Sequence, residues 1–164
     1  LSLMNKALSL AVAATLSCAS LNSEAQTMIG KTTDVAAIAN GDRMNAETLW
    51  AMGRIGGAAA SPDGKTVVYQ VGYYSVKQNK SHQMLYTVSV DGKKQHSLTT
   101  TAASESDATW IDGGKRIAFL TGGQLWSMNA DGTDRRQLTK SKIDIEGYIF
   151  SPDEKKVNPI KSIP

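Results

Sequence analysis

The chain has 164 residues, which is about one domain in length once a leader-like N-terminal stretch is set aside. Its formal net charge of +3 is spread over both signs without a basic cluster, so the composition does not indicate a nucleic-acid interface. The single cysteine, Cys18, lies in the leader-like stretch, which excludes disulfides and thiolate metal sites from the rest of the sequence.

Residues 1–25 predict a secretory signal peptide, with three residues of upstream read-in before Met4. A short basic segment ending at Lys6 is followed by an apolar run at residues 7–16, which is too short to span a bilayer. Small residues at Ser23 and Ala25 predict cleavage after Ala25 and a periplasmic or secreted protein. The alternatives are a lipoprotein acylated at Cys18, whose preceding residues match a lipoprotein box poorly, and a buried N-terminal helix.

Residues 26–43 are polar and predict a flexible approach to a domain at residues 44–164. Asn45, with a carboxylate two residues later, is typical of a helix N-cap, which predicts a short helix as far as Met52. We expect Gly53 and the glycine pair at 56–57 to end this helix.

Two sequence phrases then recur with a spacing of 40 residues. An Asp-Gly pair at Asp91 returns at Asp131, and a Leu-Thr pair at Leu98 returns at Leu138. Short runs of alternating apolar residues precede each Asp-Gly pair. A fixed period of roughly 40–45 residues built from short strands is typical of the blades of a β-propeller.

A third phrase opens each repeat with turn residues. Ser-Pro-Asp-Gly-Lys begins at Ser61, Asp-Gly-Gly-Lys begins at Asp112, and Ser-Pro-Asp-Glu-Lys begins at Ser151. Proline fixes φ, aspartate bonds back to the backbone and glycine accepts positive φ, so an apolar run after such a turn predicts a hairpin.

The sequence therefore predicts an all-β fold: an incomplete β-propeller with two four-stranded blades and the start of a third. The blades are expected at about residues 56–99, 105–139 and 148–164, with a longer loop at 72–82 in the first. Asn158-Pro159 interrupts the last run, and proline cannot donate to a central ladder, so this blade is irregular or ends in an altered reading frame. Because propellers usually close with 4–8 blades, we expect an N-terminal piece of a longer protein.

The repeats resemble the Pro-Asp propeller repeats of TolB-like proteins and of the prolyl oligopeptidase family of serine peptidases. The lead-in at residues 47–56, followed by the Ser61 turn and the insertion at 73–81, is similar to the start of secreted bacterial peptidases of that family. The dipeptidyl and acylaminoacyl peptidases are the nearest branch, and the resemblance covers about residues 44–157. It implies a propeller that gates peptide access to a C-terminal α/β-hydrolase domain, which holds the catalytic triad in that family.

We therefore expect the parent protein to be a secreted serine-type peptidase. Its partners would be peptide substrates, the remaining propeller blades and the hydrolase domain, without nucleic acid or a membrane span. The chain alone is expected to be inactive because it has no Gly-x-Ser-x-Gly nucleophile elbow. No catalytic residue, cofactor-binding residue or metal ligand is predicted. The alternatives are a non-enzymatic TolB-like periplasmic scaffold and a truncated gene product without a function of its own.

Some residues suggest a catalytic or metal site but have a simpler interpretation. Ser81, His82 and Asp91 are of the types found in a triad, yet adjacency in sequence does not place them together, and we expect both His82 and His96 in exposed loops. The aspartates that recur at matching places are interpreted as turn formers; they are Asp63, Asp112 and Asp153.

Two further features are also interpreted as structural. The Asn129-x-Asp131-Gly132 segment faintly resembles a calcium loop, but Lys140 stands where an EF-hand needs its glutamate, which favours a hairpin turn. Trp126 occupies the position that Tyr86 holds in the first repeat, and both are expected to pack between blades.

Overall fold

The computed structural model describes residues 46–75 and 79–162. The predicted signal peptide, the approach segment and the helix cap at Asn45 lie outside these residues. The chain forms a short helix and ten strands within the described ranges. Their bounds are α1 Ala46–Ala51, β1 Arg54–Ala60, β2 Thr66–Ser75, β3 Lys80–Ser89, β4 Gln95–Ser97, β5 Ser106–Ile111, β6 Arg116–Thr121, β7 Gln124–Asn129, β8 Arg136–Gln137, β9 Ile145–Phe150 and β10 Val157–Lys161.

The strands form two four-stranded antiparallel sheets and one hairpin. The first sheet has the order β1-β2-β3-β4 and the second β5-β6-β7-β8, while β9 pairs with β10. Each sheet is a simple meander in which neighbours in sequence are neighbours in space. We call them blade one, blade two and the third hairpin, and this arrangement confirms the predicted incomplete β-propeller.

The Ser-Pro-Asp turns form because side chains satisfy the backbone locally. Ser61 Oγ donates to Asp63 Oδ1 at 2.6 Å, and the same aspartate oxygen accepts the backbone N–H of Lys65. Asp153 forms the equivalent bonds in the third hairpin. The turn role predicted for these two aspartates is confirmed. Glu154 replaces the turn glycine yet keeps the turn, at a φ of 55°.

The third recurring aspartate behaves differently. Asp112 opens a 3₁₀ turn that ends at Gly114, and its own φ is 52°. The extra residue in this turn changes the conformation, so Asp112 is not the equivalent of Asp63 in structure.

Two expectations about loops and glycines are wrong. The segment predicted as a long loop at 72–82 is largely strand, because β2 runs on to Ser75 and β3 starts at Lys80, with Tyr73 opposite His82. Aromatic residues favour strand, which extends the hairpin. The glycine pair at 56–57 does not follow the helix directly but lies inside β1, where the register with β2 shifts.

The core lies between the two blades. Val68 and Leu85 of blade one pack against Ile117, Phe119 and Met128 of blade two, all of them almost fully buried. A second cluster on the other face of blade two joins it to the third hairpin. Its buried members are Ala118, Leu120, Leu125 and Ile145.

Pro159 is accommodated within β10 rather than ending it. It lies opposite Tyr148, and β10 pairs with β9 alone among the described strands. Proline is tolerated in such an edge strand because its missing N–H breaks no ladder bond on the outer side.

Candidate functional site: the junction between the blades

The Leu-Thr phrase closes each blade with the same hydrogen bonds. Thr99 Oγ1 accepts the backbone N–H of Leu85 at 2.7 Å, and the Leu98 N–H bonds to the Leu85 carbonyl. In blade two, Thr139 Oγ1 accepts the N–H of Leu125 at 2.9 Å. The threonine therefore continues the ladder after the last short strand, which explains why the pair recurs.

Beyond this shared backbone, the junction of blades one and two carries a buried ionic group. Thr99 donates to Glu105 Oε2 at 2.8 Å, and Arg135 forms an ion pair with Glu105 Oε1. Glu105 is only 1% exposed. The Arg135 guanidinium lies 4.8 Å above the centre of the Phe119 ring, a cation–π contact.

Burial and the ion pair act in opposite directions on Glu105. Removal from water raises the pKa of this carboxyl, and the nearby Arg135 charge and the Thr99 hydroxyl lower it in part. A buried carboxylate requires such partners because an unpaired charge in the interior is expensive. We call Thr99, Glu105 and Arg135 the polar lock.

His82 belongs to the same region and is buried, contrary to the loop prediction. It lies in β3 at 2% exposure, with Nε2 3.1 Å from the carbonyl oxygen of Ala103. Its Nδ1 has no hydrogen-bond partner among the described residues. His96 is exposed as expected, but it lies in β4 rather than in a loop.

Sequence reasoning did not identify the polar lock. A signal was available, because Arg135 stands 40 residues after Gln95 and Glu105 stands 40 before Ile145. Charged residues that replace neutral ones at matching repeat positions indicate a local change of chemistry.

Two further contacts join the blades. The indole N–H of Trp110 donates to the Ala59 carbonyl at 2.9 Å, and the Asp107 N–H donates to Gln70 Oε1 at 3.1 Å. Trp126 packs against the first cluster, which confirms its expected place between blades. Tyr86 instead stacks on Tyr69, with ring centres 5.6 Å apart.

The structure does not assemble a catalytic triad from Ser81, His82 and Asp91. The first two lie at the start of β3, whereas Asp91 lies in the turn after its end, about 30 Å away for an extended strand. Asp91 accepts bonds from Ser89 Oγ and the Lys93 N–H, as the other turn aspartates do.

The calcium-like segment is a hairpin turn, as predicted. Asp131 accepts bonds from both the backbone N–H and the hydroxyl of Thr133, and the Gly132 N–H bonds to the Asn129 carbonyl. Across residues 46–75 and 79–162, no three His, Cys, Asp or Glu side chains are grouped to hold a metal.

A cleft and an aromatic group complete the surface near the junction. The cleft, of about 270 Å³, lies between the turns at Pro62 and Gly114. At the start of blade one, the Arg54 guanidinium lies 4.7 Å from the centre of the Trp50 ring, which itself contacts Tyr74.

No helix within the described part of the chain has the length and apolar character needed to cross a membrane.

Stacked antiparallel meanders joined by a repeated closing motif define this chain as a portion of a β-propeller. Its sequence is homologous to Dipeptidyl-peptidase 5. It is 42% identical to the Porphyromonas endodontalis protein over 118 residues, which are 70% of this chain and 17% of that protein. The Porphyromonas gingivalis protein is 41% identical over 121 residues, 71% of this chain and 18% of the relative. The chain thus spans less than a fifth of these relatives, and no protein-family model matches it.

Solved structures show the same fold at low sequence identity. An acylaminoacyl peptidase in complex with Z-Gly-Gly-Phe-chloromethyl ketone has a TM-score of 0.59 and 13% identity, over 71% of this chain and 19% of that one. The Pyrococcus horikoshii acylaminoacyl peptidase has a TM-score of 0.58 and 14% identity, over 70% and 18%. The predicted resemblance to dipeptidyl peptidases is confirmed by the two sequence relatives, and the solved structures show the predicted propeller fold.

Proposed function

We propose that this chain forms the first blades of a propeller that gates peptide access to the active site of a secreted serine-type exopeptidase. The observation that carries the proposal is the 42% identity over 118 residues with Dipeptidyl-peptidase 5. The fold alone would not suffice, because an oligogalacturonate lyase also has it, with a TM-score of 0.52.

The contacts between the blades support a role as a rigid wall. A filter that admits short peptides and excludes larger ones requires blades that do not part. Here the Thr99–Glu105 bond of the polar lock, the Trp110–Ala59 bond and the Gln70–Asp107 bond cross the apolar interface. These directional contacts fix the relative position of the sheets in addition to the burial between them.

The described residues offer surfaces for peptide contact rather than groups for hydrolysis. Trp50, Arg54 and Tyr74 form an exposed aromatic and cationic group beside the long hairpin of blade one. Hydrolysis would rest on a domain outside this chain. We therefore expect the purified chain to release no product from dipeptidyl or acyl-aminoacyl chromogenic substrates, and to remain unlabelled by a serine-directed probe.

A chimera tests the proposed function. The segment of the Porphyromonas endodontalis protein that matches this chain is replaced by the chain's own blades. We expect the folded chimera to cleave dipeptidyl chromogenic substrates at rates comparable with the parent enzyme, and to leave a large folded protein substrate uncleaved. A chimera that is folded by circular dichroism and monomeric, yet inactive on the short substrates, would contradict the proposal.

A matched pair of variants controls for simple loss of folding. Leu85→Ala opens a cavity in the interface of the two blades, whereas Val90→Ala changes an exposed valine in the turn after the same strand. If the rigid wall is needed to exclude longer peptides, Leu85→Ala should raise the cleavage rate on longer peptides relative to that on dipeptidyl substrates. Val90→Ala should leave this ratio unchanged.

We further propose that the protein is exported and that its leader is removed after Ala25. The support is the sequence pattern of residues 4–25. Mass spectrometry of the exported protein should find Gln26 as the first residue. A lipid on Cys18 or an uncleaved leader would contradict this.

A further inference from the structure

The first strand of blade two contains a residue in a backbone conformation that side chains seldom adopt. The pairing of β5 with β6 is interrupted between Ser106 and Thr109, and within this bulge Asp107 has a φ of 54°. Five non-glycine residues have a positive φ in the described ranges, and Asp107 alone lies inside a strand. Such a conformation costs energy, so it persists only where the surrounding structure holds it.

Side chains from the two neighbouring sheets hold this residue by its backbone. Gln70 Oε1 of blade one accepts the Asp107 N–H at 3.1 Å. Gly56 leaves room for this glutamine, since a Cβ at residue 56 would lie 2.7 Å from the Gln70 amide nitrogen. On the other side, the Tyr148 hydroxyl of the third hairpin donates to the Asp107 carbonyl. The bulge is therefore fixed from both sides, and the direction in which the carboxylate leaves the strand is fixed with it.

The carboxylate of Asp107 has no partner within residues 46–75 and 79–162. The residue is exposed, and partial removal from water raises the pKa of its carboxyl without a nearby positive charge to lower it. Two other acidic residues with positive φ use their side chains: Asp134 pairs with two arginines, and Glu154 accepts the Asp112 N–H. The Asp107 carboxylate is thus held in place without serving the fold.

Asp107 lies where the first strands of the three sheets converge. Trp110 of β5 bonds to Ala59 of β1, and Tyr148 of β9 bonds to Asp107. Among the described strands β5 pairs with β6 only, so its other edge is open. The blades of a propeller surround a central channel, and first strands that converge in this way line it. A peptide that passes along the channel would meet the free carboxylate.

We propose that Asp107 is a selectivity residue whose carboxylate binds positively charged groups of peptides that pass the inner edge of the blades. The ligand is an ammonium or a guanidinium, because a carboxylate forms its strongest hydrogen bonds with these donors. The attraction is stronger here than in open water, since the site is partly shielded. The proposal rests on the proposed function for the identity of the passing molecule, and it adds a preference for basic peptides over acidic ones.

A purely structural role of Asp107 makes a different prediction. Aspartate tolerates positive φ better than most residues, and asparagine and glycine tolerate it as well. Asp107→Asn therefore keeps the size and backbone of the residue and removes only its charge, whereas Asp107→Gly removes the side chain. If Asp107 served the bulge alone, both variants would be as selective as the unmodified protein.

Kinetics of the chimera described above measure this selectivity. Three pentapeptides differ only at the fourth residue, which is lysine, norleucine or glutamate, and kcat/KM is measured for release of the N-terminal dipeptide. We expect Asp107→Asn to lower the lysine-to-glutamate ratio of kcat/KM about threefold or more, and Asp107→Gly to do the same. Asp91→Asn is the matched control, because Asp91 is also exposed and lies in the turn after β3, and it should leave the ratio unchanged.

Nuclear magnetic resonance of the chain itself tests binding without hydrolysis. An acetylated and amidated Ala-Lys-Ala peptide offers a charged side chain alone, and amidated Ala-norleucine-Ala offers an N-terminal ammonium alone. The same norleucine peptide with an acetyl group offers neither. We expect the backbone amide signals of residues 106–109 to shift with the charged peptides only, and these shifts to vanish in Asp107→Asn. A response to one charged peptide and not the other identifies the source of the charge.

Either measurement can overturn the proposal. It fails if Asp107→Asn changes kcat/KM for the three pentapeptides by the same factor. It also fails if the neutral peptide shifts the amide signals as much as the charged ones do, or if no peptide shifts them. A chimera that cleaves none of the pentapeptides contradicts the proposed function, and the resonance titration then decides on Asp107 alone.

Discussion

The two junctions between sheets in this molecule share the same pattern of backbone hydrogen bonds but differ in the side chains that meet there. On the face of blade two that meets blade one, buried Glu105 forms an ion pair with Arg135, whose side chain is 22% exposed, and accepts a hydrogen bond from Thr99 of blade one. Between blade two and the third hairpin, Ile145 takes the place of Glu105 and packs with Leu120 and Leu125. In both junctions the closing threonine accepts the equivalent backbone N–H, that of Leu85 in blade one and that of Leu125 in blade two.

This difference shows which parts of the repeat determine how one sheet packs on the next. The Leu-Thr pair and the backbone hydrogen bond that joins each sheet to the next recur whether or not a charge is present, so they set the geometry. A buried ion pair often gives no more stability than apolar residues of similar size. The polar lock therefore contributes chiefly direction. It favours one orientation of the sheets because Glu105 must meet the Thr99 hydroxyl, and Arg135 the Leu98 carbonyl, at the end of blade one.

The largest expected effect comes from breaking the lock on one side. Arg135→Met leaves Glu105 buried without its counter-charge, which should lower the free energy of unfolding by ~3–5 kcal/mol. Urea unfolding of the chain measures this. Glu105→Ile combined with Arg135→Met makes the junction resemble that of Ile145 and should recover most of the loss.

Arg136→Met is the control for this experiment. Arg136 is exposed and pairs with exposed Asp134, so its loss should cost no more than ~1 kcal/mol. Equal losses of unfolding free energy in Arg135→Met and Arg136→Met would show that the Glu105–Arg135 pair contributes no more than an exposed ion pair.

The pH dependence of Arg135→Met gives a second test of the same contrast. Burial already raises the pKa of Glu105, and loss of the arginine removes the main opposing influence. A raised folded-state pKa means that the protonated protein is favoured, so stability is full below the ordinary value near 4.5 and falls as the pH rises through the folded-state value. The urea midpoint of Arg135→Met should therefore fall more steeply with rising pH than that of the unmodified chain. Parallel curves would contradict the assignment.

An intermediate effect is expected from the two closing threonines. Thr99→Val leaves the buried Leu85 N–H unsatisfied and removes a bond to Glu105, which should cost ~1–3 kcal/mol. Thr139→Val should cost less, because Thr139 is half-exposed and water can replace its hydroxyl. Hydrogen exchange of the Leu85 and Leu125 amides measures both sites. A larger loss of protection at the Leu125 amide in Thr139→Val than at the Leu85 amide in Thr99→Val would contradict this expected order.

The smallest effect is expected from the turn serines. Ser61→Ala and Ser151→Ala each remove a hydroxyl that bonds to the turn aspartate and to a backbone N–H. We expect ~1 kcal/mol at Ser61, which is buried, and less at half-buried Ser151. The same hydroxyls hold the pKa of Asp63 and of Asp153 below the usual range, so stability from these turns is lost as the pH falls. Thermal melts at neutral and acidic pH would show no difference between variants and the unmodified chain if the turns form without these bonds.

Local chemistry is what the sequence alone determined about this protein. The period of 40 residues, the Pro-Asp turns and the alternating strands depend on interactions within a few residues. They predicted an incomplete β-propeller, the turn roles of Asp63 and Asp153 and the place of Trp126. The resemblance to dipeptidyl and acylaminoacyl peptidases followed from the same phrases.

Only the tertiary structure decided which polar side chains are buried. Glu105 and Arg135 are 30 residues apart and meet within blade two, where Thr99 and the Leu98 carbonyl at the end of blade one contact them. His82 was expected in a loop, yet the extended hairpin carries it into the sheet beside Ala103. The physical reason is that burial of a charge or an imidazole depends on the surface that packs over it, and that surface comes from a distant part of the chain.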